Sequence, residues 1–336
     1  MIRFNYPLFF ALDFHHVLLH PRRSTLEHES RAKVNLNHHG HIPLIVANMD
    51  YIATFEMAKI YKEYNILTAI LKDYTAQQWD EAVQKHGLES RLLVPTIGIR
   101  DFDKELDKIE AIVRSHKDIP FVSMDVPNAY LKVVLERTQQ FKERFPDVKL
   151  SVGNVVTIEG VEGLHKAGAS MAKVGIGSGS ACLTRRMTGV GYPQFSAIHD
   201  MAQAAHELGI ELISDGGMTE SGSAVKAYAA GASYVMAGGF FAGHDETGSK
   251  FHGMSSHQSR EHRGEEKASY RASEGRAVTL KSRGSIHNTL SELMGGFRSA
   301  CTMLNVSSLQ DLPKASLTAE VVMQQLNRVA GVENEE

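Results

Sequence analysis

A cysteine that follows a glycine-rich turn is the residue of this sequence best suited to covalent chemistry. Cys182 is one of two cysteines in 336 residues, and it directly follows the run KVGIGSGSA at 173–181. Glycines in such a turn leave backbone N–H and carbonyl groups open to a ligand. Arg185 and Arg186 follow closely, and cations beside a thiol favour the nucleophilic thiolate. A small buried cysteine is the alternative, but the glycines and arginines together favour catalysis.

Two glycine pairs later in the chain predict a phosphate site. Asp215-Gly216-Gly217 and Gly238-Gly239 each follow a short apolar run. Backbone N–H groups without a side chain in the way bind phosphate in such loops. Tight turns without a ligand are the alternative interpretation.

Histidines are concentrated near the start of the chain. Of 17 histidines, seven lie between His15 and His41. The sequence contains no HExxH or Cys-x-x-Cys motif, and His38, His39 and His41 share a polar loop. The spacing therefore favours no metal site in this region.

The composition is that of a globular protein, with 43% hydrophobic and 22% charged residues. A net charge of −3 argues against nucleic acid as the main partner. Two cysteines suit a reducing compartment, and no apolar run approaches the roughly 18 residues of a membrane span. We therefore expect a cytoplasmic protein with no membrane or nucleic-acid partner.

Short apolar runs alternate with helical stretches along the chain. Eight strands are predicted at 42–49, 66–71, 92–98, 121–126, 149–155, 171–176, 211–214 and 234–237. Eight helices are predicted at 54–64, 75–86, 101–116, 130–145, 158–167, 195–208, 220–230 and 288–304. Strands that are apolar on both faces indicate a parallel sheet covered by helices. The count favours an α/β fold, a (β/α)₈ barrel, over an open doubly wound sheet, which would need GxGxxG near residues 47–50.

Polar residues gather where the predicted strands end, as at Asp125, Asn154 and Asp215. In a barrel these ends share one face, which carries the active site. Residues 244–287 form a long connection that is rich in charge and poor in large apolar side chains. We expect this connection to be a mobile lid over that face, within one catalytic domain spanning 1–336.

Five motifs are distinctive: KVGIGSGSACLTRRMTGVGYPQFSAI, SDGGMTESGSAVKAYAAGASYVMAGGFFAGHDE, GMSS, YRASEG and GGFRSACT. Together they resemble those of the GMP reductases, within the IMP dehydrogenase and GMP reductase family, and the likeness runs from about residue 22 to 302. The IMP dehydrogenases usually insert a CBS-domain pair near the second strand and carry an Arg-Tyr pair in the lid. This chain has neither feature, and its loop at 187–194 looks like the reductase form.

The resemblance implies NADPH-dependent reduction of GMP to IMP and ammonia by a homotetramer. Cys182 would attack carbon 2 of the purine, while Thr184 and Glu274 would handle protons. From the sequence alone, Glu274 would otherwise be one more surface glutamate in a charged loop.

The resemblance also implies three sets of binding residues. GMP would be bound by Asp215, Gly216, Gly217, Gly238, Gly239, Gly253, Met254, Ser255, Arg271 and Gly275. NADPH would be bound by Lys72, Asp125, Val126, Pro127, Ile176, Gly177, Tyr270, Ser299, Ala300, Cys301 and Thr302, with Ser24 and Thr25 from a neighbouring subunit. Potassium would be bound by the backbone of Gly177, Gly179, Cys182 and Arg185.

The chain departs from the family pattern at a few positions. Ser178 stands where a proline is usual, which should loosen the glycine loop, and Lys72 lies where histidines are usual.

Three other functions remain open at this point: an NAD-dependent IMP dehydrogenase, an FMN-dependent barrel oxidoreductase and a catalytically silent nucleotide sensor.

Overall fold

A closed barrel of eight parallel strands forms the centre of the protein. The computed structural model describes residues 11–26, 28–262, 272–315 and 319–321. Each strand pairs with its neighbour in chain order, and the last strand pairs with the first. The strands are β1 Ile42–Val46, β2 Ile66–Ile70, β3 Leu93–Ile97, β4 Val122–Asp125, β5 Leu150–Val155, β6 Met171–Val174, β7 Glu211–Asp215 and β8 Tyr234–Ala237. The (β/α)₈ barrel predicted from the sequence is confirmed.

A helix follows each strand and covers the outside of the barrel. The helices are α1 Phe55–Glu63, α2 Ala76–His86, α3 Phe102–Ser115, α4 Lys132–Arg144, α5 Ile158–Lys166, α6 Gln194–Leu208, α7 Ser221–Ala229 and α8 Ile286–Met303. Threonines at the predicted starts cap α1 and α2. Thr75 Oγ1 accepts from the Gln78 N–H at 3.2 Å, and Gln78 Oε1 accepts from the Thr75 N–H at 2.8 Å.

Several short elements lie outside the predicted pattern. The strand Val17–Leu19 pairs with Ala319–Val321, and Lys250–His252 pairs with Ala277–Thr279. Short α-helices are Thr184–Thr188, His257–His262 and Leu312–Ala315, and 3₁₀ turns are Phe14–His16, His28–Lys33, Ser90–Leu92, Gly239–Phe241 and Leu309–Asp311. Elements of three to six residues are too short to show a periodic pattern in the sequence. Such short elements are stabilised mainly by the residues they pack against or pair with in the fold.

Side chains that alternate along each strand fill two separate cores. Ile45, Leu67, Val94 and Ile213 pack together inside the barrel. Their neighbours in sequence, such as Leu44 and Val46, pack outwards against the helices. The same alternation places Lys173 of β6 on the inner face with Met171, and its side chain is fully buried. A lysine inside a barrel needs partners of opposite charge, and these lie at the active-site end.

No helix in the described ranges is both long and apolar enough to cross a bilayer. The predicted lid at 244–287 is described for 244–262 and 272–287, and these parts contain the strand pair Lys250–His252 and Ala277–Thr279. The mobility of this connection stays a prediction, as does the single-domain assignment for 1–336.

Burial on α8 leads to a stability prediction. Phe297 is fully buried and packs edge to face on Tyr228 of α7, with ring centroids 6.0 Å apart. Phe297→Ala should lower the free energy of unfolding by about 3–5 kcal/mol, because it leaves a cavity. Met303→Ala is the control on the same helix, since Met303 is 56% exposed. Urea unfolding followed by circular dichroism measures both, and equal midpoints would contradict the packing role.

Candidate active site

The cysteine loop lies between β6 and the short helix Thr184–Thr188, at the carboxyl end of the barrel. The Cys182 N–H donates to the Gly179 carbonyl at 3.0 Å, which folds the loop back on itself. Cys182 is partly exposed and forms no disulfide. Its Sγ donates to Thr184 Oγ1 at 3.2 Å. The thiol is therefore accessible and already hydrogen-bonded to a hydroxyl.

A second hydrogen bond extends this contact to a carboxylate. Thr184 Oγ1 donates to Glu274 Oε2 at 2.8 Å, although the two residues are 90 positions apart. Sulfur, hydroxyl and carboxylate thus form one continuous hydrogen-bonded chain. Such a chain can move a proton between the carboxylate and a group beside the sulfur. We call Cys182, Thr184 and Glu274 the catalytic relay.

Backbone hydrogen bonds keep the relay together. The Leu183 N–H donates to the Glu274 carbonyl at 2.6 Å, and the Arg276 N–H donates to the Ala181 carbonyl at 3.0 Å. The segment that carries Glu274 therefore lies antiparallel to the cysteine loop, with Gly275 opposite Cys182. A Cβ on Gly275 would lie 2.7 Å from the Ser256 amide nitrogen, so only glycine permits this approach. These contacts hold the Glu274 side chain within hydrogen-bond distance of Thr184.

An open cleft surrounds the relay. Apart from Arg271, which is outside the described residues, the predicted GMP-binding residues line it: Asp215, Gly216, Gly217, Gly238, Gly239, Gly253, Met254, Ser255 and Gly275. Gly216 has φ +93°, and a Cβ there would lie 2.6 Å from Ser178 Oγ. Backbone rather than side chains therefore forms this wall, as a phosphate site requires.

Part of the predicted NADPH set lines the same cleft, namely Asp125, Val126, Pro127, Ile176 and Gly177. Lys72 is not among the residues that line the cleft, but its positive charge acts on the Asp125 carboxylate, which is one of them. Tyr270 is outside the described residues.

The remaining predicted NADPH residues lie elsewhere in the chain. Ser299, Ala300, Cys301 and Thr302 are on α8, and Ser24 and Thr25 lie beside its end, where the Thr25 N–H donates to Asn305 Oδ1 at 3.2 Å. None of these six lines the cleft as the described residues form it. Cys301 is fully buried, and burial raises the pKa of its thiol to about 11. Within one chain, these residues and Cys182 do not share a site.

A buried ammonium group joins two carboxylates at the floor of the cleft. Lys173 Nζ forms an ion pair with Asp125 Oδ1 and lies 3.9 Å from Asp215 Oδ2. Each carboxylate also accepts from an asparagine: Asn48 Nδ2 donates to Asp125 at 3.1 Å and Asn154 Nδ2 donates to Asp215 at 2.9 Å. The two aspartates are held in place by a common cation.

The same network separates the pKa values of the two aspartates. Burial alone would raise the pKa of Asp125, but the charge and hydrogen bond of Lys173 lower it below the usual range. Burial dominates at Asp215 and raises its pKa above the usual range, although Lys173 opposes this effect. Burial likewise opposes the charged form of Lys173, yet the two aspartates raise its pKa. Asp125 is therefore the firmly ionised partner, and Asp215 takes up a proton more readily.

Arg185 stabilises the loop rather than the thiol. Its Nη1 donates to Asp13 Oδ2 at 2.9 Å, and its Nη2 donates to the Tyr192 carbonyl at 2.6 Å. Arg186 is exposed. The sequence suggested that both arginines favour the thiolate, but the structure assigns Arg185 to an ion pair with the start of the chain. Ser178, which we expected to loosen the loop, has a compensating contact that a proline could not make, because its Oγ donates to the Asp215 carbonyl at 2.9 Å.

The sequence did not single out Lys173, and it placed Asn48 and Asn154 on the active face only as polar residues at strand ends, with no partner assigned to either. A signal was present for Lys173, because a lysine within the apolar strand Met171–Val174 requires a buried counter-charge. The two asparagines looked like ordinary residues at strand ends.

The fold and the relay define a (β/α)₈ barrel with a hydrogen-bonded, partly exposed cysteine at the carboxyl ends of its strands. The family model for the IMP dehydrogenase / GMP reductase domain matches residues 11–329. This chain belongs to that family.

Full-length relatives within the family carry one name. A protein of Phytophthora infestans, named GMP reductase, is 42% identical over 95% of this chain and 93% of its own. GMP reductases of Yersinia pestis and Shewanella pealeana are 42% and 40% identical, and each comparison covers 96% of this chain and 98% of the relative. The likeness therefore covers nearly the whole of each protein.

Replacing Lys173 tests whether its buried charge neutralises the two aspartates at the base of the cleft. Lys173→Met should destabilise the protein by about 3–5 kcal/mol, because it leaves Asp125 and Asp215 buried without their counter-charge. Adding Asp125→Asn should restore part of this loss, since Asp215, whose pKa is already raised, can then take up a proton. Thermal unfolding measures all three proteins. Lys132→Met is the control, because the Lys132 side chain is 91% exposed. If the double variant is no more stable than Lys173→Met, Lys173 does not act as the common counter-charge of the two aspartates.

Proposed function

We propose that this protein catalyses the NADPH-dependent reductive deamination of GMP to IMP and ammonia. The observation that carries the proposal is the continuous relay from Cys182 Sγ through Thr184 to Glu274, inside a glycine-lined cleft. The named activity of full-length relatives at 40–42% identity supports the same conclusion. The activity serves the interconversion of purine nucleotides.

The first half of the reaction replaces nitrogen by sulfur. Cys182 Sγ adds to carbon 2 of the guanine, and the bond between that carbon and the amino group breaks. An aromatic amine leaves slowly unless it is protonated, and the Thr184 hydroxyl provides the proton. A threonine hydroxyl is too weak an acid to do this alone, so Glu274 restores its proton. The amine departs as ammonia and leaves the purine bound to sulfur.

The second half replaces sulfur by hydrogen. NADPH, when bound, supplies the hydride that adds to carbon 2, after which the carbon–sulfur bond breaks and Cys182 is regenerated. The residues that fit its nicotinamide end are Asp125, Val126, Pro127, Ile176 and Gly177, because they border the cleft next to the cysteine loop. Lys72 adds a positive charge on that side, which also helps to lower the pKa of Asp125.

Closure of the lid brings Glu274 to the relay. Glu274 reaches Thr184 while its carbonyl accepts from the Leu183 N–H and the nearby Arg276 N–H donates to the Ala181 carbonyl. A closed segment also excludes water, which would otherwise hydrolyse the purine bound to sulfur. We therefore propose that residues 244–287 open to admit nucleotide and close before deamination.

A potassium ion suits the cysteine loop. The proposed ligands are backbone carbonyls of Gly177, Gly179, Cys182 and Arg185. The carbonyls of Gly179 and Arg185 already accept the N–H groups of Cys182 and Gly189 at 3.0 and 3.1 Å. A carbonyl oxygen has two lone pairs, so each can still contact a cation. The ion would stiffen the loop that carries the nucleophile.

We further propose a cytoplasmic homotetramer. Ser24, Thr25 and the 299–302 part of α8 lie together but away from the cleft of their own chain. In an assembly they can complete the NADPH site of a neighbouring subunit. The two free cysteines suit a reducing compartment.

Absorbance at the wavelength of NADPH tests the function directly. Consumption of NADPH with GMP, and release of ammonia, are the expected results. Reduction of NAD⁺ with IMP instead would indicate the dehydrogenase, GMP binding without turnover would indicate a nucleotide sensor, and a yellow flavin-containing protein would indicate an FMN enzyme. The relay argues against a silent sensor, because binding alone needs no aligned thiol, hydroxyl and carboxylate.

Loss of the nucleophile should abolish turnover. Cys182→Ala should reduce kcat about 10⁴-fold or more, because the covalent route is lost. GMP binding should survive, since the glycine-rich wall of the cleft is unchanged. Steady-state kinetics and GMP titration measure the two effects, with exposed Met187→Ala as the control on the adjoining short helix. Substantial remaining activity, or no purine adduct on Cys182 by mass spectrometry, would overturn the covalent mechanism.

Loss of the proton source should separate the two halves of the reaction. Glu274→Gln keeps the size and hydrogen bonding of the side chain but cannot cycle a proton. Deamination should slow about 10²–10⁴-fold. The reverse half-reaction from IMP and NADP⁺ to the covalent purine should be much less affected, because no amine leaves in it.

Rapid-quench kinetics of both directions make the comparison. The control is Glu261→Gln, an exposed glutamate in the short helix His257–His262. An equal loss in both directions would mean that Glu274 acts on the thiol or the lid and does not protonate the amine.

A further inference from the structure

Two adjacent histidines lie at the end of the barrel opposite the catalytic cleft. His38 and His41 exchange backbone hydrogen bonds of 2.6 and 3.1 Å, which close a tight turn just before β1. The two central residues, His39 and Gly40, have φ values of +49° and +86°. This turn brings the His38 and His39 rings side by side, with centroids 4.0 Å apart.

A carboxylate from a distant strand completes the cluster. Glu211 is the first residue of β7, and its Oε1 lies 3.2 Å from His38 Nε2, although 173 positions separate the two residues. One ligand atom from each of His38, His39 and Glu211 lies within 4.8 Å of the other two. Three metal-binding side chains therefore converge from two separate parts of the chain.

The spacing matches a tetrahedral metal centre. Ligands at about 2.0–2.1 Å from a tetrahedral ion lie about 3.3 Å from one another. The His38–Glu211 pair already has this separation. His39 is exposed, so a small rotation of its side chain can bring its ring nitrogen to the same ion.

We propose that His38, His39 and Glu211 bind one divalent transition-metal ion of the zinc class, with water in the fourth position. Two imidazoles and one carboxylate form a ligand set that suits zinc, whereas magnesium and calcium prefer oxygen alone. The sequence favoured no metal here because no short motif is present. The third ligand comes from β7, and no local spacing rule can reveal it.

Neighbouring residues orient the ligands. The Tyr234 ring packs edge to face on His38, with centroids 5.3 Å apart, and the Tyr234 hydroxyl is 3.3 Å from His41 Nε2. These contacts restrict the His38 ring to one orientation, as residues around metal ligands often do. Lys149 Nζ lies 3.9 Å from the second Glu211 oxygen and competes with the ion for this carboxylate. We therefore expect moderate affinity and a site that chelators can empty.

The ion would connect strands that are not neighbours. The turn 38–41 leads into β1, and Glu211 begins β7, while β1 pairs only with β2 and β8. A shared metal would thus join β1 to β7 across the one strand between them, β8, at the amino ends of the barrel strands. It would raise thermal stability and leave turnover nearly unchanged, because Cys182 lies at the other end of the strands.

Zinc titration of metal-free protein tests the proposal. The protein is treated with a chelator, dialysed and titrated with zinc chloride by calorimetry, in the Cys182→Ala background so that the reactive thiol cannot bind the ion. We expect one ion per chain and a higher melting temperature. Cobalt chloride should give the visible absorption of a tetrahedral site.

Three variants separate a built site from histidines in general. His39→Gly suits the positive φ of the turn while removing a ligand, and it should weaken zinc binding at least tenfold. Glu211→Gln should do the same. His15→Gly is the matched control, because His15 also lies beside a second histidine, with ring centroids 3.7 Å apart, but is outside the cluster.

Absence of stoichiometric binding in the Cys182→Ala background would overturn the proposal. Unchanged affinity in His39→Gly or in folded Glu211→Gln would also overturn it. If Glu211→Gln does not fold, His39→Gly decides alone, since that side chain is exposed. Kinetics of the metal-loaded and metal-free wild type complete the test. The outcome is independent of the proposed reaction, because binding and melting are measured without substrate.

Discussion

The active face of this protein depends on one positive charge buried inside the barrel. Lys173 points inwards from β6 and has no access to solvent. An unpaired buried ammonium group would cost several kcal/mol, so Asp125 and Asp215 must turn towards it. Those aspartates end β4 and β7, and both line the cleft beside the cysteine loop. A single electrostatic requirement thus aligns both halves of the site.

The catalytic relay depends on a second contact, between the cysteine loop and the segment that contains Glu274. Backbone bonds from Leu183 and Arg276 make this contact, and the missing side chain of Gly275 permits it. Glu274 therefore reaches Thr184 only when the segment is in place. In the proposed reaction, proton transfer and the exclusion of water both follow from this contact, which forms once the nucleotide has entered the cleft.

The two ends of the strands have separate roles. Cys182, Asp125 and Asp215 lie at the carboxyl ends, while His38 and Glu211 lie at the amino ends. A strand of five residues such as β7 spans roughly 17 Å, so a charge at one end has little direct effect at the other. Contacts at the amino ends of the strands can therefore stabilise the barrel without altering the chemistry at the carboxyl ends, as is general for this fold.

The sequence by itself determined the eight strand–helix units and the barrel, because buried strands, helix caps at Thr54 and Thr75, and glycine-rich turns have local signatures. It also predicted Cys182 as the nucleophile and most of the residues that line the cleft. Only the tertiary structure decided which distant residues meet. It joined Thr184 to Glu274, His38 to Glu211 and Lys173 to both aspartates, and it directed Arg185 to Asp13 and away from the thiol. Local patterns report burial and backbone conformation within a few residues. Contacts between residues far apart depend on how the barrel closes and on which buried charges must be neutralised, and no local spacing contains that information.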